Sequence, residues 1–365
     1  MTVFGGVFDG LRILLTGHTG FKGSWLSIWL AKLGAEVTGL SIDIPTTPSL
    51  FELTGAAECL DHRFGDICDA AAMAALVREV RPDVVLHLAA QPLVRLSYRE
   101  PLATLETNVM GTANVLEAVR AWGGPCDIVV VTSDKCYRND GRRGGYRETD
   151  PMGGHDPYSM SKGAAELVVE SWRSSYFAAP ESPIRLASAR AGNVIGGGDW
   201  AEDRIITDSI AALTKGQSIS IRNPLATRPW QHVLEPLSGY MWLVHQLRIG
   251  AQVTQGWNFG PDQKNIRNVQ QLVDEFVKDW GSGSADHLDE AGAPTEATTL
   301  SLNIERAWSE LAWKPAWDFE RTIAETVGWY RAWSQGTQDL RRITEDQIDA
   351  YSRDAAALSI AWAVT

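Results

Sequence analysis

The sequence predicts an α/β fold in which a doubly wound parallel sheet carries a smaller, mainly C-terminal lobe. Two observations support this fold class. Short apolar runs alternate with stretches whose apolar residues recur at helical spacing, which is typical of consecutive βαβ units with right-handed crossovers. The chain of 365 residues is also long enough for two unequal lobes.

The elements follow this alternation from the N-terminus. The run "RILLT" at residues 12–16 is a first strand, and apolar positions between Ser24 and Leu33 form a helical stripe that Gly34 ends. "AEVTGLSID" is the second strand. The pattern then predicts strands at residues 84–89 and 128–133, with a helix over 106–122 between them. A further helix begins near Pro157, and "IRLASARAGNVIG" contains the next strand.

The alternation loosens after Asn193. Helices are predicted over residues 205–214, 269–280 and 319–333, and the stretch 281–299 is polar. We therefore predict a first domain over residues 1–190, to which later segments near 230–260 return, and a second lobe formed mainly by residues 191–365.

Composition excludes several classes of protein. A net charge of −12 argues against a nucleic-acid binder, so an anionic ligand must meet a local cluster of arginines. No segment approaches the roughly 20 consecutive apolar residues that cross a bilayer, and we expect a cytoplasmic protein with no membrane partner. The cysteines have no CxxC spacing, which predicts reduced thiols and no metal site. They are Cys59, Cys68, Cys126 and Cys136.

The loop "TGHTGFKG" lies between the first strand and the first helix, with glycines at 17, 20 and 23. In a dinucleotide-binding unit, Gly17 permits the tight turn and Gly20 lets backbone amides approach a pyrophosphate. Gly23 allows the helix to pack closely on the strand, with the helix N-terminus facing the phosphates. The alternative is an ordinary glycine turn.

Further cofactor candidates follow the next strands. Asp43 lies 20 residues beyond Gly23, where a carboxylate would accept hydrogen bonds from an adenosine ribose and repel a 2′-phosphate. That position favours NAD over NADP, although Asp43 is also suited to a turn before Pro45. Asp66 in "GDICD" is placed either to reach the adenine or to be a solvated loop acid. The small residues of "HLAAQP" at 87–92 would let the backbone lie against a dinucleotide.

A tyrosine and a lysine share one helical face. Asp156 and Pro157 form a good helix start, and Tyr158 and Lys162 follow one turn apart. An ammonium group and a cationic nicotinamide ring would both lower the pKa of the tyrosine, so that it acts as a general base. A YxxxK spacing also occurs by chance on solvated helices. Here it follows a dinucleotide loop and a strand that ends at Ser133.

The glycine-turn βαβ unit, Ser133, Tyr158 and Lys162 together resemble the extended short-chain dehydrogenase/reductase family. The resemblance implies a Rossmann-type NAD-binding domain over residues 1–190 and a sugar-nucleotide-binding lobe formed mainly by 191–365. It also implies a homodimer or homotetramer that uses the helices preceding and containing Tyr158. The implied cofactor contacts are Gly17, Thr19, Gly20, Phe21, Gly23, Asp43, Asp66, Ile67, Leu88, Ala89, Ala90, Tyr158 and Lys162.

The triplet Ser133, Asp134 and Lys135 in "TSDKCY" resembles the Thr-Asp-Glu triplet of nucleotide-sugar 4,6-dehydratases. Loss of the C6 hydroxyl from a hexose is slow until C4 is a carbonyl that acidifies the C5 hydrogen, so oxidation comes first. The resemblance implies that Tyr158 takes the C4 hydroxyl proton and that Asp134 helps water leave from C6. NAD is regenerated when the hydride returns to C6.

Lys135 departs from the glutamate of the better-known relatives. An ammonium has no free lone pair, so Lys135 must be desolvated or lie near positive charge to act as the C5 base. Alternatively, it stabilises the enolate while another group moves the proton. A surface ion pair beyond the strand is the structural alternative for the triplet.

Long segments such as "PMGGHDPYSMSK" and "RNPLATRPWQHVLEPLSGY" resemble the dehydratases that act on CDP-D-glucose. That substrate implies an early step towards deoxy and dideoxy sugars of bacterial surface polysaccharides. Two other functions stay open: a nucleotide-sugar 4-epimerase or 4-reductase of the same fold, and a non-catalytic NAD-sensing scaffold. The implied substrate contacts are Gln91, Asn193, Arg204, Arg222 and Arg228, of which each arginine could also be a surface residue.

Overall fold

The computed structural model describes residues 2–142, 144–287 and 300–365. The strands in these ranges are β1 (Arg12–Thr16), β2 (Glu36–Ser41), β3 (Asp61–Phe64), β4 (Val84–His87), β5 (Cys126–Val131), β6 (Ile184–Arg190), β7 (Val194–Ile195), β8 (Ile219–Ile221), β9 (Thr227–Arg228), β10 (Gln231–His232), β11 (Gly256–Asn258), β12 (Arg267–Asn268) and β13 (Ala285–His287).

The helices in the same ranges are α1 (Phe21–Lys32), α2 (Leu50–Leu53), α3 (Ala70–Val80), α4 (Val94–Arg99), α5 (Pro101–Leu105), α6 (Thr112–Trp122), α7 (Pro157–Tyr176), α8 (Ile205–Thr214), α9 (Leu234–Arg248), α10 (Val269–Trp280), α11 (Glu305–Leu311), α12 (Phe319–Ser334), α13 (Leu340–Ala357) and α14 (Ala361–Val364). A π-helical segment, Glu106–Gly111, joins α5 to α6, so the helix predicted over 106–122 begins with irregular turns. Along the described ranges, no helix combines the length and the apolar character that a membrane span needs.

Seven parallel strands form the central sheet in the order β11-β6-β5-β4-β1-β2-β3. The chain builds outward from β1 through β2 to β3, and then returns to place β4 on the other side of β1. This reversal between β1 and β4 is the topological switch point of a doubly wound sheet, where ligands bind at the carboxyl ends of the strands. The predicted fold class is confirmed, because the strands are parallel and helices cover the sheet.

Both faces of the sheet are buried. Within β5, Val129 and Val131 belong to a core shared with α1 and the C-terminal helices, whereas Ile128 and Val130 belong to a core shared with α3 and α6. Successive side chains of a strand point to opposite faces, so a continuous run of apolar residues is what a parallel strand covered on both sides requires. The strand ends are therefore fixed in position by packing on two sides.

Later segments of the chain join the central sheet or form small sheets beside it. Strand β11 pairs with β6, where Gly256 lies opposite Ser188, and α9 packs against β5 and β6. Three two-stranded sheets are formed by β7 with β10, β9 with β12, and β8 with β13. The division of the chain near residue 190 stays a prediction.

The C-terminal helices α13 and α14 pack back onto the first helix. Trp362 stacks on Phe4 with ring centroids 4.9 Å apart and meets Trp29 of α1 edge-on. Tyr351 of α13 is buried against both tryptophans. These two helices were not predicted, because only a narrow apolar stripe marks α13 in an otherwise charged segment.

Candidate active site

The glycine loop lies at the switch point. Gly17 has a φ of +78°, and an added Cβ would lie 2.7 Å from the backbone nitrogen of Ala89. A Cβ at Gly23 would lie 2.1 Å from the carbonyl oxygen of Gly17. Both positions therefore require glycine, the first for its backbone conformation as well as for space and the second for the close approach of α1 to the loop.

Gly20 differs from these two glycines because open space surrounds its Cα. It precedes α1 as the N-cap residue, and no side chain of the described residues caps the helix there. An added Cβ would meet only the carbonyl oxygen of Gly17, at 3.5 Å. The backbone amides of Phe21 and the residues that follow are thus presented at the positive end of a helix, an arrangement that fits a dinucleotide pyrophosphate.

The end of β2 is tied to the loop. The Thr19 hydroxyl donates to the carbonyl oxygen of Asp43 at 2.6 Å, and the Thr19 amide donates to the Ser41 hydroxyl at 3.2 Å. The Asp43 side chain is exposed. His18, which sequence analysis did not single out, bonds through its ring to Ser41 at 2.9 Å, and burial lowers its pKa to about 4. It therefore holds this strand end as a neutral ring.

Two further predicted cofactor segments line the same edge. Leu88, Ala89 and Ala90 are half-buried beyond β4, and the Ala89 amide donates to the Thr16 hydroxyl at 3.2 Å. Asp66 is exposed and caps the Cys68 amide at 2.8 Å.

A surface cavity of about 280 Å³ adjoins Asp66 and is lined in part by Leu40 and Phe64. Ile67, the next residue in the chain, is buried. Of the candidates for the adenine end of a dinucleotide, Asp66 therefore lines this cavity.

Ser133 and Tyr158 meet beyond β5 and at the first turn of α7. Asp156 caps α7 through the Ser159 amide at 2.8 Å, as the sequence indicates, and Pro157 is the first helical residue. Burial raises the pKa of Tyr158 to about 12, while its hydrogen bond with Ser133 opposes that rise. The chain's own groups therefore raise the pKa of Tyr158, whereas the spacing of Tyr158 and Lys162 predicted a lower one.

Lys162 lies one turn further along α7 and is buried. Burial lowers its pKa to about 8, and the charges of Cys136 and Glu166 partly oppose that change. A lysine with this pKa exchanges its proton near neutral pH, so its charge state is sensitive to any charge placed beside it.

Asp134 is almost fully buried, with 1% of its surface exposed. Ser133 donates a hydrogen bond of 2.9 Å to its Oδ1 atom. Its Oδ2 atom is buried and has no hydrogen-bond partner among the described residues. Lys135, next in the chain, is half-buried. The acid of the triplet thus lies inside the protein beside Ser133 with one free oxygen, and does not point into bulk solvent.

Lys22 also belongs to this cluster, although sequence analysis did not name it. Its Nζ atom lies 3.4 Å from the Tyr240 hydroxyl. Burial and the charges of Arg204 and Lys162 lower its pKa to about 8, and the charge of Asp134 opposes this. The sequence could have indicated Lys22 through its position, because it is a lysine inside the glycine loop that is predicted to bind phosphates.

A buried polar network supports the cluster from behind. Thr132 donates to one carboxylate oxygen of Glu166 at 2.5 Å, and Ser188 and Arg190 both donate to the other at 2.8 Å. Arg190 also donates to the Tyr137 hydroxyl at 2.6 Å. Since Thr132 directly precedes Ser133, this network fixes the strand end that carries Ser133 and Asp134.

The predicted phosphate-binding arginines fall into different surroundings. Arg204 pairs with buried Asp199 and lies close enough to Tyr158 to affect its pKa. Arg222 lies 3.6 Å from Asp203, which also pairs with Arg95 at 3.1 Å. Arg228 donates to the carbonyl oxygen of Thr227 at 2.9 Å. Of the three arginines, the structure thus brings Arg204 to the Tyr158 cluster.

The two amides predicted to contact substrate are also placed differently. Asn193 has a φ of +48°, and its Nδ2 atom is buried without a partner among the described residues. The Gln91 side chain donates to Thr104 at 2.8 Å and accepts from the Leu93 amide at 2.5 Å. Asn193 therefore has a free donor at the site, whereas Gln91 organises its own loop.

Fold and site together define a class of proteins in which a glycine loop for a dinucleotide faces a helix that carries a tyrosine and a lysine. The family model described as GDP-mannose 4,6 dehydratase matches residues 14–326. The chain belongs to this family, within the NAD-dependent epimerases and dehydratases, and the predicted membership of the extended short-chain dehydrogenases/reductases is confirmed.

Individual relatives narrow the comparison. The CDP-glucose 4,6-dehydratase of Salmonella typhimurium is 46% identical over 94% of this chain and 97% of its own length. A dTDP-glucose 4,6-dehydratase of Xanthomonas campestris is 28% identical over 89% of this chain and 95% of its own length. The solved dTDP-glucose 4,6-dehydratase of Streptomyces venezuelae, with NAD and TYD bound, covers 90% of this chain and 100% of its own, with a TM-score of 0.75 and 23% identity.

Proposed function

We propose that the protein is an NAD-dependent lyase that converts CDP-D-glucose to CDP-4-dehydro-6-deoxy-D-glucose and water. The observation that carries the proposal is the buried Asp134 carboxyl, whose free oxygen lies beside Ser133 and near Tyr158. A 4-epimerase or 4-reductase needs no proton donor there. The relative with 46% identity, which is a CDP-glucose 4,6-dehydratase, supports the choice of nucleotide.

NAD is the proposed cofactor, and it would supply an acceptor and donor of hydride when bound. Gly17, Thr19, Gly20, Phe21 and Gly23 would hold its pyrophosphate at the α1 N-terminus. At the outer strand ends, Asp43 would bind the adenosine ribose, with Asp66 and Ile67 at the adenine. Leu88, Ala89 and Ala90 would lie against the dinucleotide, and Tyr158 and Lys162 would lie at its reactive end.

Tyr158 would take the proton of the C4 hydroxyl, which Ser133 orients. Burial holds the pKa of Tyr158 at about 12, so Tyr158 can act as a base only where nearby positive charge stabilises its phenolate form. Lys162, Lys22 and Arg204 supply positive charge to this cluster. Oxidation at C4 then acidifies the C5 hydrogen.

Asp134 would protonate the departing C6 hydroxyl through its free Oδ2 atom. For Lys135, both predicted roles stay open: the half-buried amine is either the base at C5 or a cation that stabilises the enolate. Substrate phosphates would be bound by Asn193, Arg204, Arg222 and Arg228, with Gln91 as a further candidate.

We also propose that the chain forms a homodimer or homotetramer. Large apolar side chains are exposed on the helices that precede and contain Tyr158, among them Leu102, Met110 and Leu167. Covering them in a subunit contact would remove this apolar surface from water. The cytoplasmic location stays a prediction.

A substrate panel tests the proposed function. The purified protein is incubated with NAD⁺ and, in parallel, with the CDP, dTDP, GDP and UDP derivatives of glucose. We expect only the CDP-glucose reaction to give a product lighter by one water that absorbs as a 4-keto sugar in alkali. A product of unchanged mass would indicate an epimerase, and the absence of turnover with all four would favour a non-catalytic role.

A further inference from the structure

We propose that Gly192 is a positioning residue for the Asp134 carboxyl. The inference rests on the proposed function, in which Asp134 is the proton donor for the elimination. Gly192 is buried in the loop after β6, 58 residues beyond Asp134 in the chain. An added Cβ would lie 2.0 Å from both Cγ and Oδ2 of Asp134. The free oxygen of the carboxyl therefore occupies the space that a side chain at position 192 would need.

Space, and not backbone conformation, is what requires glycine at this position. Gly192 is absent from the residues with positive φ, so its backbone conformation is open to alanine. The positive φ falls on the next residue, Asn193, at +48°. An alanine at position 192 would thus act by contact with Asp134.

The backbone of Gly192 has little freedom to move away. The Gln231 side chain donates to the carbonyl oxygens of Gly192 at 3.1 Å and of Phe259 at 3.2 Å, and Gln231 is itself 2% exposed. The Gln231 amide donates to the carbonyl oxygen of Asn193 at 3.3 Å. Because Gln231 binds the carbonyl oxygens of Gly192 and of the next residue, Asn193, an added methyl group would displace the Asp134 carboxyl instead.

Displacement of the carboxyl would affect one step of the reaction. In the elimination, a base removes the C5 proton. The electron pair of the broken C5–H bond forms the C5–C6 double bond, and the C6–O bond breaks. The leaving hydroxyl takes the Asp134 proton and departs as water. Proton removal at C4 belongs to Tyr158 on α7, whereas the three atoms nearest to the added methyl group all belong to Asp134. A substitution at Gly192 should therefore slow elimination and spare oxidation.

The test compares Gly192→Ala with Gly260→Ala. Gly260 is a suitable control because it is also buried and lacks a positive φ, and its added Cβ would meet neighbours at an ordinary 3.6 Å. Each variant is assayed with CDP-glucose and with its 6-deoxy-6-fluoro analogue, whose fluoride needs less help from an acid. We expect Gly192→Ala to lower kcat for CDP-glucose by about tenfold or more and for the analogue by less than about threefold. Equal losses for both substrates would overturn the inference.

A stability measurement covers the case in which Gly192→Ala does not fold. In an Asp134→Ala background the atoms that the new methyl group would meet are absent. We expect Gly192→Ala to lower the unfolding midpoint less in that background than in the wild type. Equal destabilisation in both backgrounds would overturn the inference. Failure of the wild type to dehydrate CDP-glucose would instead refute the proposed function, and this stability comparison would still decide the role of Gly192.

Discussion

Two buried carboxylates, Asp134 at the carboxyl edge of the sheet and Glu235 at the start of α9, have opposite surroundings. Glu235 has no exposed surface, and each of its oxygens accepts hydrogen bonds: Oε1 from the Trp317 amide at 2.7 Å, and Oε2 from the Tyr351 hydroxyl at 2.6 Å. The Ala316 amide reaches both oxygens at 3.1 Å. Asp134 has one bond from Ser133 and a second oxygen with none among the described residues.

The difference is the one expected between a structural carboxylate and the proton donor that we propose. Leaving a buried polar atom unpaired costs free energy, so a folded protein retains such an atom mainly where something else uses it. Glu235 joins α9 to the loop before α12 and to α13, and both of its oxygens are bonded within the protein. Asp134 retains one oxygen for a partner that the chain itself does not provide.

The largest expected effect is that of Asp134→Asn. An amide of the same shape cannot donate a proton to the C6 hydroxyl, so kcat with CDP-glucose should fall by about a hundredfold or more. The free energy of unfolding should change by less than about 1 kcal/mol, because the Oδ2 atom makes no hydrogen bond that would be lost. Product formation by mass and urea unfolding measure the two quantities.

Glu235→Gln is the matched control for that substitution, since it makes the same isosteric change at the other buried carboxylate. It should leave kcat within about twofold of the wild type, because Glu235 is bonded to Ala316, Trp317 and Tyr351, none of which is a proposed site residue. If Asp134→Asn retained full activity, or if both variants lost activity equally, the distinction between the two carboxylates would be wrong.

The stability of the folded protein should depend on pH through Glu235. Burial raises the pKa of Glu235 to about 7 in the folded protein, against roughly 4.3 in an unfolded chain. The folded state therefore holds this proton more tightly than the unfolded chain does. The resulting contribution to the free energy of unfolding is complete below the unfolded pKa of Glu235, and it is lost as pH rises through about 7. At about 1.4 kcal/mol per pKa unit, the loss amounts to roughly 4 kcal/mol.

Urea unfolding at about pH 5 and about pH 8 measures this contribution in wild type and in Glu235→Gln. The wild type should lose more stability than the variant over this interval, because glutamine does not titrate. Parallel pH profiles for the two proteins would contradict a raised pKa at Glu235.

The sequence was sufficient where the interactions are local. Gly17 and Gly23 are six residues apart, and the close contact between them follows from one strand-loop-helix unit. The cap of α7 by Asp156 is likewise visible from neighbouring residues. The buried strand β5 was predicted from its composition, because a strand covered on both faces is a continuous run of apolar residues.

Contacts between segments that are far apart in the chain could not be predicted from one sequence. The spacing of Tyr158 and Lys162 places them on one face but carries no information on burial, which raises the pKa of Tyr158 to about 12. The contact of Gly192 with Asp134 depends on the pairing of β6 with β5, which sets the loops after these two strands side by side. Pairing of Arg222 with Asp203 also depends on tertiary structure.

Asp203 extends the comparison to an exposed carboxylate, where the smallest effect is expected. It pairs with Arg95 at 3.1 Å and Arg222 at 3.6 Å, and its side chain is 37% exposed. Its φ of +60° is one that asparagine also adopts readily, so Asp203→Asn removes the charge and preserves the loop. Because solvent and salt screen such pairs, urea unfolding should show a change below about 1 kcal/mol. A loss above about 2 kcal/mol would mean that Asp203 stabilises the fold as buried Glu235 does, and that exposure is a poor guide to what each carboxylate contributes.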